Sequence, residues 1–173
     1  VGDTLYFHAS AGSPHGRELW KSDGTESGTV MVKDITPGNQ QSGAAKNTNM
    51  NYFTAVGDTL YFAADDQIHG TELWKSDGTE AGTVMVKDLQ PGTYGSGTPY
   101  SGGANYITAI GDTVYFYGND GVNGFGLYKS DGTANGTVFV FSIGSISEMV
   151  AVGDTLYFNG KEYVANSVFG LYK

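Results

Sequence analysis

The stretch GTELWKSDGTEAGTVMVKDLQPG, Gly70 to Gly92, occurs almost unchanged at Gly16 to Gly38 as GRELWKSDGTESGTVMVKDITPG, and the two copies differ at four positions. Asp-Gly-Thr beside a Trp and a Lys suits a metal loop, a catalytic carboxylate or a sugar-binding corner. It equally suits a turn that recurs because the architecture recurs. The rest of the chain decides between these readings.

Other words recur in the same order. VGDTLYF at Val1 returns at Val56 and Val152, and as IGDTVYF at Ile110, in steps of 55, 54 and 42 residues. ELWKSDGT at Glu18 and Glu72 becomes GLYKSDGT at Gly126 and GLYK at Gly170, while GTVMVKD at Gly28 and Gly82 becomes GTVFVFS at Gly136. A fourth word, NYFTA at Asn51, NYITA at Asn105 and SEMVA at Ser147, runs directly into the next Gly-Asp pair. Each word is short, β-branched or aromatic, and bounded by a turn signal, so each reads as a strand. All four prolines (Pro14, Pro37, Pro91, Pro99) fall between words, where no ladder hydrogen bond is lost.

Four antiparallel strands in about 42 to 55 residues is the content of one propeller blade. A lone sheet of this kind cannot bury both faces, which is a physical reason for repetition. The expected fold is therefore all-β, a β-propeller-like array of four-stranded antiparallel blades with no helix and about three and a half repeat units. The units run 1–55, 56–109, 110–151 and a truncated 152–173, one repeat domain in all. Counting words gives 14 strands. A ring needs at least about four blades. The half-finished edge is expected to be completed by a second copy, a head-to-tail neighbour or the rest of a longer chain.

The words ELWKSDGT, GTVMVKD and VGDTLYF resemble the ELWxxDGT repeat of large bacterial proteins, mostly secreted or surface-associated. The resemblance covers essentially the whole chain, with two full matches, one degraded copy and one truncated copy. It implies a β-propeller, a secreted or cell-surface bacterial location, and no common enzymatic activity. The third copy departs from the pattern: Tyr128 replaces Trp, Gly126 replaces Glu, and Phe141-Ser142 replaces Lys-Asp. The long connection that follows Lys-Asp elsewhere is absent there.

Composition narrows the partners. The 173 residues carry 9 Lys plus Arg against 18 Asp plus Glu, a formal net charge of −9. Such a surface repels phosphate backbones and anionic lipid, so nucleic acid and membrane insertion are not expected. No Cys is present, which removes disulfides, thiolate metal sites and Cys nucleophiles. No apolar run approaches the ~20 residues of a membrane helix. The opening VGDTLYF has neither an initiator Met nor a signal sequence, so the chain is expected to be a processed product or part of something longer.

Candidate chemistry is thin. Asp23, Asp77 and Asp131, like Asp3, Asp58, Asp112 and Asp154, repeat with the blades, so they would spread around a ring instead of converging as an acid–base pair must. The unrepeated acids are Asp65, Asp66, Asp120, Glu148 and Glu162, the only set available to a hydrolase site. The loops at Asp65-Asp66 and Asn119-Asp120 are rich enough in oxygen to admit calcium. The alternating ligands ending in a bidentate Glu are missing, so no cofactor is expected and solvated hairpin loops are the reading. His15 and His69 are repeat-related and lack zinc spacing. No nucleophile elbow or phosphate-cradling loop occurs.

Two long polar connections, Pro37 to Asn51 and Pro91 to Asn105, are the candidate recognition surfaces. Asn39, Gln40, Gln41, Asn47, Asn49, Tyr94 and Tyr100 are suited to stacking on glycans or hydrogen-bonding them. Phe139 and Phe141 are candidate assembly contacts. Trp20 and Trp74 recur within strands and are expected to pack between blades. The function expected is a non-catalytic extracellular structural or adhesive repeat module, with a lectin-like propeller as the alternative.

Overall fold

The computed structural model covers residues 1–173 and describes residues 1–10, 12, 14–38 and 48–161, together with the backbone of 170–172. Fourteen strands and no helix occur among the described residues. They form four antiparallel sheets that follow one another along the chain.

The first sheet holds β1 (Leu5–Ser10), β2 (Arg17–Ser22) and β3 (Val30–Lys33). The second holds β4 (Met50–Val56), β5 (Thr59–Asp65), β6 (Thr71–Ser76) and β7 (Val84–Lys87). The third repeats this pattern with β8 (Asn105–Ile110), β9 (Thr113–Asn119), β10 (Phe125–Ser130) and β11 (Val138–Ser142). The fourth holds β12 (Ser145–Val152), β13 (Thr155–Lys161) and β14 (Gly170–Tyr172). No closed ring is found among the described residues.

The Gly-Asp pairs are two-residue hairpin connections. Gly57, Gly111 and Gly153 carry φ of 52°, 55° and 57° at the first of two turn residues, a conformation a residue with Cβ adopts only under strain. Each pair joins the first strand of a sheet to its second. The sheets are thus framed one strand earlier than units counted from the Gly-Asp pair: β8 closes the sequence unit 56–109 but opens the third sheet.

Burial follows the period-two alternation of strands, with both faces of the middle sheets covered. From β5, Leu60, Phe62 and Ala64 join Leu19, Val32, Ile35, Met50 and Trp74 in a core between the first and second sheets. Tyr61 and Ala63, from the opposite face of β5, join Leu73, Leu89, Ile107, Val114, Phe116 and Tyr128 between the second and third sheets. Leu127, Ile143, Ile146, Leu156 and Phe158 form the third core, between the third and fourth sheets. Complete burial of a side chain such as Phe62 contributes on the order of 2–3 kcal/mol, so each interface, not each sheet, is the stabilising unit.

The first strands of successive sheets lie side by side. The Thr54 hydroxyl donates to the Ile107 carbonyl at 2.8 Å, linking β4 to β8, and the Thr108 hydroxyl donates to the Met149 carbonyl at 3.4 Å, linking β8 to β12. Each of these strands also carries a β-bulge two to three residues upstream, at Asn51/Thr54, Asn105/Thr108 and Ile146/Glu148. The first two bulges hold Tyr52 and Tyr106 at φ of 59° and 56°, with ring centroids 5.4 Å apart.

Candidate functional site

The Asp-Gly-Thr word forms a closed network within eight residues. In the first copy Asp23 Oδ1 accepts the Thr25 N–H at 2.9 Å and the Thr25 hydroxyl at 2.7 Å, and the Thr25 hydroxyl oxygen accepts the Gly28 N–H at 3.0 Å. Thr29 donates to the Thr25 carbonyl at 2.6 Å and shares a 2.7 Å hydroxyl bond with Ser22, whose oxygen also accepts the Gly24 N–H. The same bonds recur in residues 76–83 and 130–137. The hydroxyl and N–H of the following Thr hold Asp23, Asp77 and Asp131 below the usual carboxylate range. A Cβ at Gly28, Gly82 or Gly136 would collide with that carboxylate, which explains the second glycine of DGTxxGT. These carboxylates are committed to their own turns.

What the turns offer outward is a docking point for the preceding sheet. Lys21 donates its ammonium to the Gly78 carbonyl at 2.8 Å, and Lys75 donates to the Gly132 carbonyl at 2.8 Å. Tyr6 and Tyr61 lay their hydroxyls against the α-carbons of the same two glycines, which are buried at φ of 85°. Burial raises both tyrosines, and Asp77 and Asp131 respectively add to the effect. Further out, Lys33 reaches the Glu80 carbonyl at 3.3 Å and Lys87 the Thr137 carbonyl at 2.9 Å. One set of groups thus joins sheet to sheet twice over.

Two buried glutamates hold the long connections. Glu72 receives the Gly102 N–H at 2.6 Å and the Leu89 N–H at 3.1 Å, one from each end of the 88–104 connection. Burial pushes its carboxyl up to about 8 against the effect of those two bonds. Glu18 receives the Ile35 N–H at 2.7 Å and the hydroxyls of Thr36 and Thr48, and burial raises it too. In the third sheet the equivalent position is Gly126, where a Cβ would meet the Phe141 carbonyl and the Phe139 ring. There β11 passes to β12 through Ile143 and Gly144 alone. Where the carboxylate is absent, so is the connection it ties down.

The acidic loops are satisfied internally. Asp66 accepts the Ile68 and His69 N–H groups and meets His69 Nδ1 at 2.7 Å. Burial raises the Asp66 carboxyl, but its bonds from His69 and Ile68 outweigh this and lower it, while the Asp66 contact raises His69. Asp120 accepts the Val122 and Asn123 N–H groups and the Asn123 side-chain amide. His15, lacking an acid three residues before it, turns to Asp34 Oδ2 at 2.7 Å. Among the described residues no three His, Asp or Glu side chains come together to hold a metal ion. Glu148 is exposed at the β12 bulge, and Glu162 lies outside the described residues.

Of the candidate recognition residues, Asn39, Gln40, Gln41 and Asn47 lie outside the described residues. Asn49 is exposed and lines a cavity of about 180 Å³ with His8, Arg17 and Thr48. Tyr94 and Tyr100 stack edge-on at 4.5 Å in a small hairpin closed by Tyr94 N–H to the Thr98 carbonyl and Tyr100 N–H to the Gly92 carbonyl. Tyr94 remains 57% exposed. Beside this hairpin, a cavity of about 390 Å³ is lined by Asp65, Gln67, Thr71, Thr98 and Ser101.

Phe139 packs edge-on against Tyr128 at 5.4 Å, within the core between the second and third sheets. Phe141 is 37% exposed and its ring lies 5.8 Å from Phe158 of the fourth sheet. Trp74 packs in the core between the first and second sheets. Trp20 is half-buried and, by alternation with Leu19, sits on the face of the first sheet away from the second.

Sequence reasoning passed over the buried glutamates and the two strained tyrosines. The glutamates had a signal, since Glu and the long connection disappear together in the third copy. The tyrosines had none, because a bulge at a repeated strand word changes no residue type.

No known family profile and no curated protein matches the chain. Among solved structures it is similar to a puromycin hydrolase S511A mutant complexed with PGG, with a TM-score of 0.61 at 13% identity over 97% of this chain and 24% of that one. It is similar to puromycin hydrolase itself with a TM-score of 0.60 at 12% identity over the same shares. The chain therefore spans about a quarter of those proteins' length. At such identities the likeness shows the fold alone, an all-β arrangement of small antiparallel sheets.

Proposed function

We propose that this chain is a non-catalytic structural or adhesive repeat module with propeller-like blades, at the surface of a bacterial cell or secreted from it. In this reading it works by assembly, with itself or as part of a larger propeller. The observation that carries the reading is the repeated latch: Lys21 and Tyr6 on the Gly78 turn, then Lys75 and Tyr61 on the Gly132 turn. The polar groups of the repeat go into joining blade to blade, and its turn carboxylates are occupied by their own turns. Sedimentation velocity across a range of concentrations tests self-association. Species heavier than one chain support it, and a single-chain species at every concentration removes it.

A lectin-like module is the second reading. It is favoured by exposed Tyr94 in the hairpin whose Thr98 lines, with Asp65 and Ser101, the neighbouring cavity, hydroxyl-rich groups suited to a sugar. One shallow site of this kind binds weakly and gains from multivalency. A glycan array printed at high density, with no bound protein at any spot, removes this reading.

A further inference from the structure

The latch that joins the first three sheets has a third copy that holds no turn among the described residues. Tyr115 stands in β9 where Tyr6 stands in β1 and Tyr61 in β5, and Lys129 stands in β10 where Lys21 and Lys75 stand in β2 and β6. Between them lies a cavity of about 310 Å³ lined also by Thr113, Ser130, Asp131, Gly136 and Val138. Lys21 and Lys75 are half-buried by the turns they hold, whereas Lys129 is exposed and its ammonium makes no hydrogen bond among the described residues.

We propose that the Tyr115–Lys129 cavity is a receptor for a hairpin bearing the Ser-Asp-Gly-Thr turn of a further repeat unit. The two filled latches define what it accepts. The ammonium takes the carbonyl of a glycine, and the tyrosine hydroxyl takes the bare α-carbon of that glycine, where a Cβ would collide. The receptor is therefore selective for glycine at the turn. The complementary half is carried by the same molecule, since the Asp23-Gly24-Thr25 turn has the buried turns' internal bonds and an exposed glycine with open space around it.

The inference rests on the structural reading above and gives the assembly its contact. The test extends the chain after Lys173 with a copy of residues 76–87, placing a Ser-Asp-Gly-Thr hairpin within reach, and follows urea unfolding. An intramolecular probe is chosen because a free hairpin is marginally folded in water. The extended chain is expected to unfold at higher urea than the original. Lys129→Met is expected to lower its folding equilibrium constant about fivefold, as loss of one hydrogen bond does, and to leave the original chain unchanged. Valine in place of the glycine in the added turn is expected to abolish the gain.

No gain on extension, or a gain that survives both Lys129→Met and the valine turn, overturns the proposal. A single-chain species in sedimentation together with a Lys129-dependent gain removes self-association and leaves the receptor standing. Assembly without a Lys129-dependent gain does the reverse.

Discussion

Lys75 donates its ammonium to the carbonyl of Gly132, 2.8 Å away in the next sheet, and Lys21 stands in the same relation to Gly78. The bond is charge-assisted and its acceptor sits on a buried glycine, so losing the donor leaves that carbonyl unpaired. Lys75→Met keeps most of the aliphatic stem and removes the charge. The expected cost is about 1–2 kcal/mol in urea unfolding. Matching values for Lys75→Met and the wild type would show that the lysine is decorative.

Gly24 and Gly132 separate backbone strain from contact. Both hold positive φ, 90° and 85°, but only at Gly132 would a Cβ meet another group, the Tyr61 hydroxyl. Gly24→Ala is expected to cost about 1 kcal/mol, the penalty of the left-handed conformation alone. Gly132→Ala adds the collision and is expected to cost about 2–4 kcal/mol. Equal costs in thermal or urea unfolding would refute the contact.

The second glycine of the word answers to a carboxylate. Gly82→Ala drives a methyl into Asp77 and is expected to destabilise by about 1–3 kcal/mol. In an Asp77→Ala background the same substitution has nothing to strike, and its cost is expected to fall by about half or more. A double-mutant cycle reads this coupling directly. Additive costs would mean the two residues act independently.

Glu72 links stability to pH. Its carboxyl titrates at about 8 when folded, against an ordinary value of 4.5, because burial disfavours the charge. The folded chain therefore keeps a proton that the unfolded chain has released. That advantage is full below about pH 4.5, fades as pH rises, and is gone above about pH 8. His69, raised by Asp66, acts in the same direction above its ordinary 6.5. Glu72→Gln places an amide N–H opposite one of the two backbone donors, a cost of about 1–3 kcal/mol that does not vary with pH. The difference between wild type and variant is therefore expected to shrink from pH 5 to pH 8. A difference constant over that window would show that Glu72 is ionised throughout.

Much of the fold is legible in the sequence because each strand is its own word. Thr59-Leu60-Tyr61-Phe62, bounded by Gly-Asp before and a polar loop after, can be little else than a strand, and it lies inside β5. The 14 words correspond to 14 strands. The frame of the sheets is another matter. A periodic text reads the same from any starting letter, and only the contacts of Thr54 with Ile107 and Thr108 with Met149 mark which strand stands first in each sheet. The latch was hidden for a similar reason. Tyr61 and Lys75 belong to different words, and their common target, Gly132, lies 57 residues beyond the lysine. Nothing local in either word announces that meeting.

The bonds inside each Ser-Asp-Gly-Thr turn never leave the turn, and a neighbouring sheet touches it through two lysines and one tyrosine that both full copies carry. A gene that duplicates one such unit in place therefore acquires a new sheet whose joints on both sides already fit. Length can change by copying alone, without any compensating substitution, and two copies as alike as Gly16–Gly38 and Gly70–Gly92 are what such growth leaves behind.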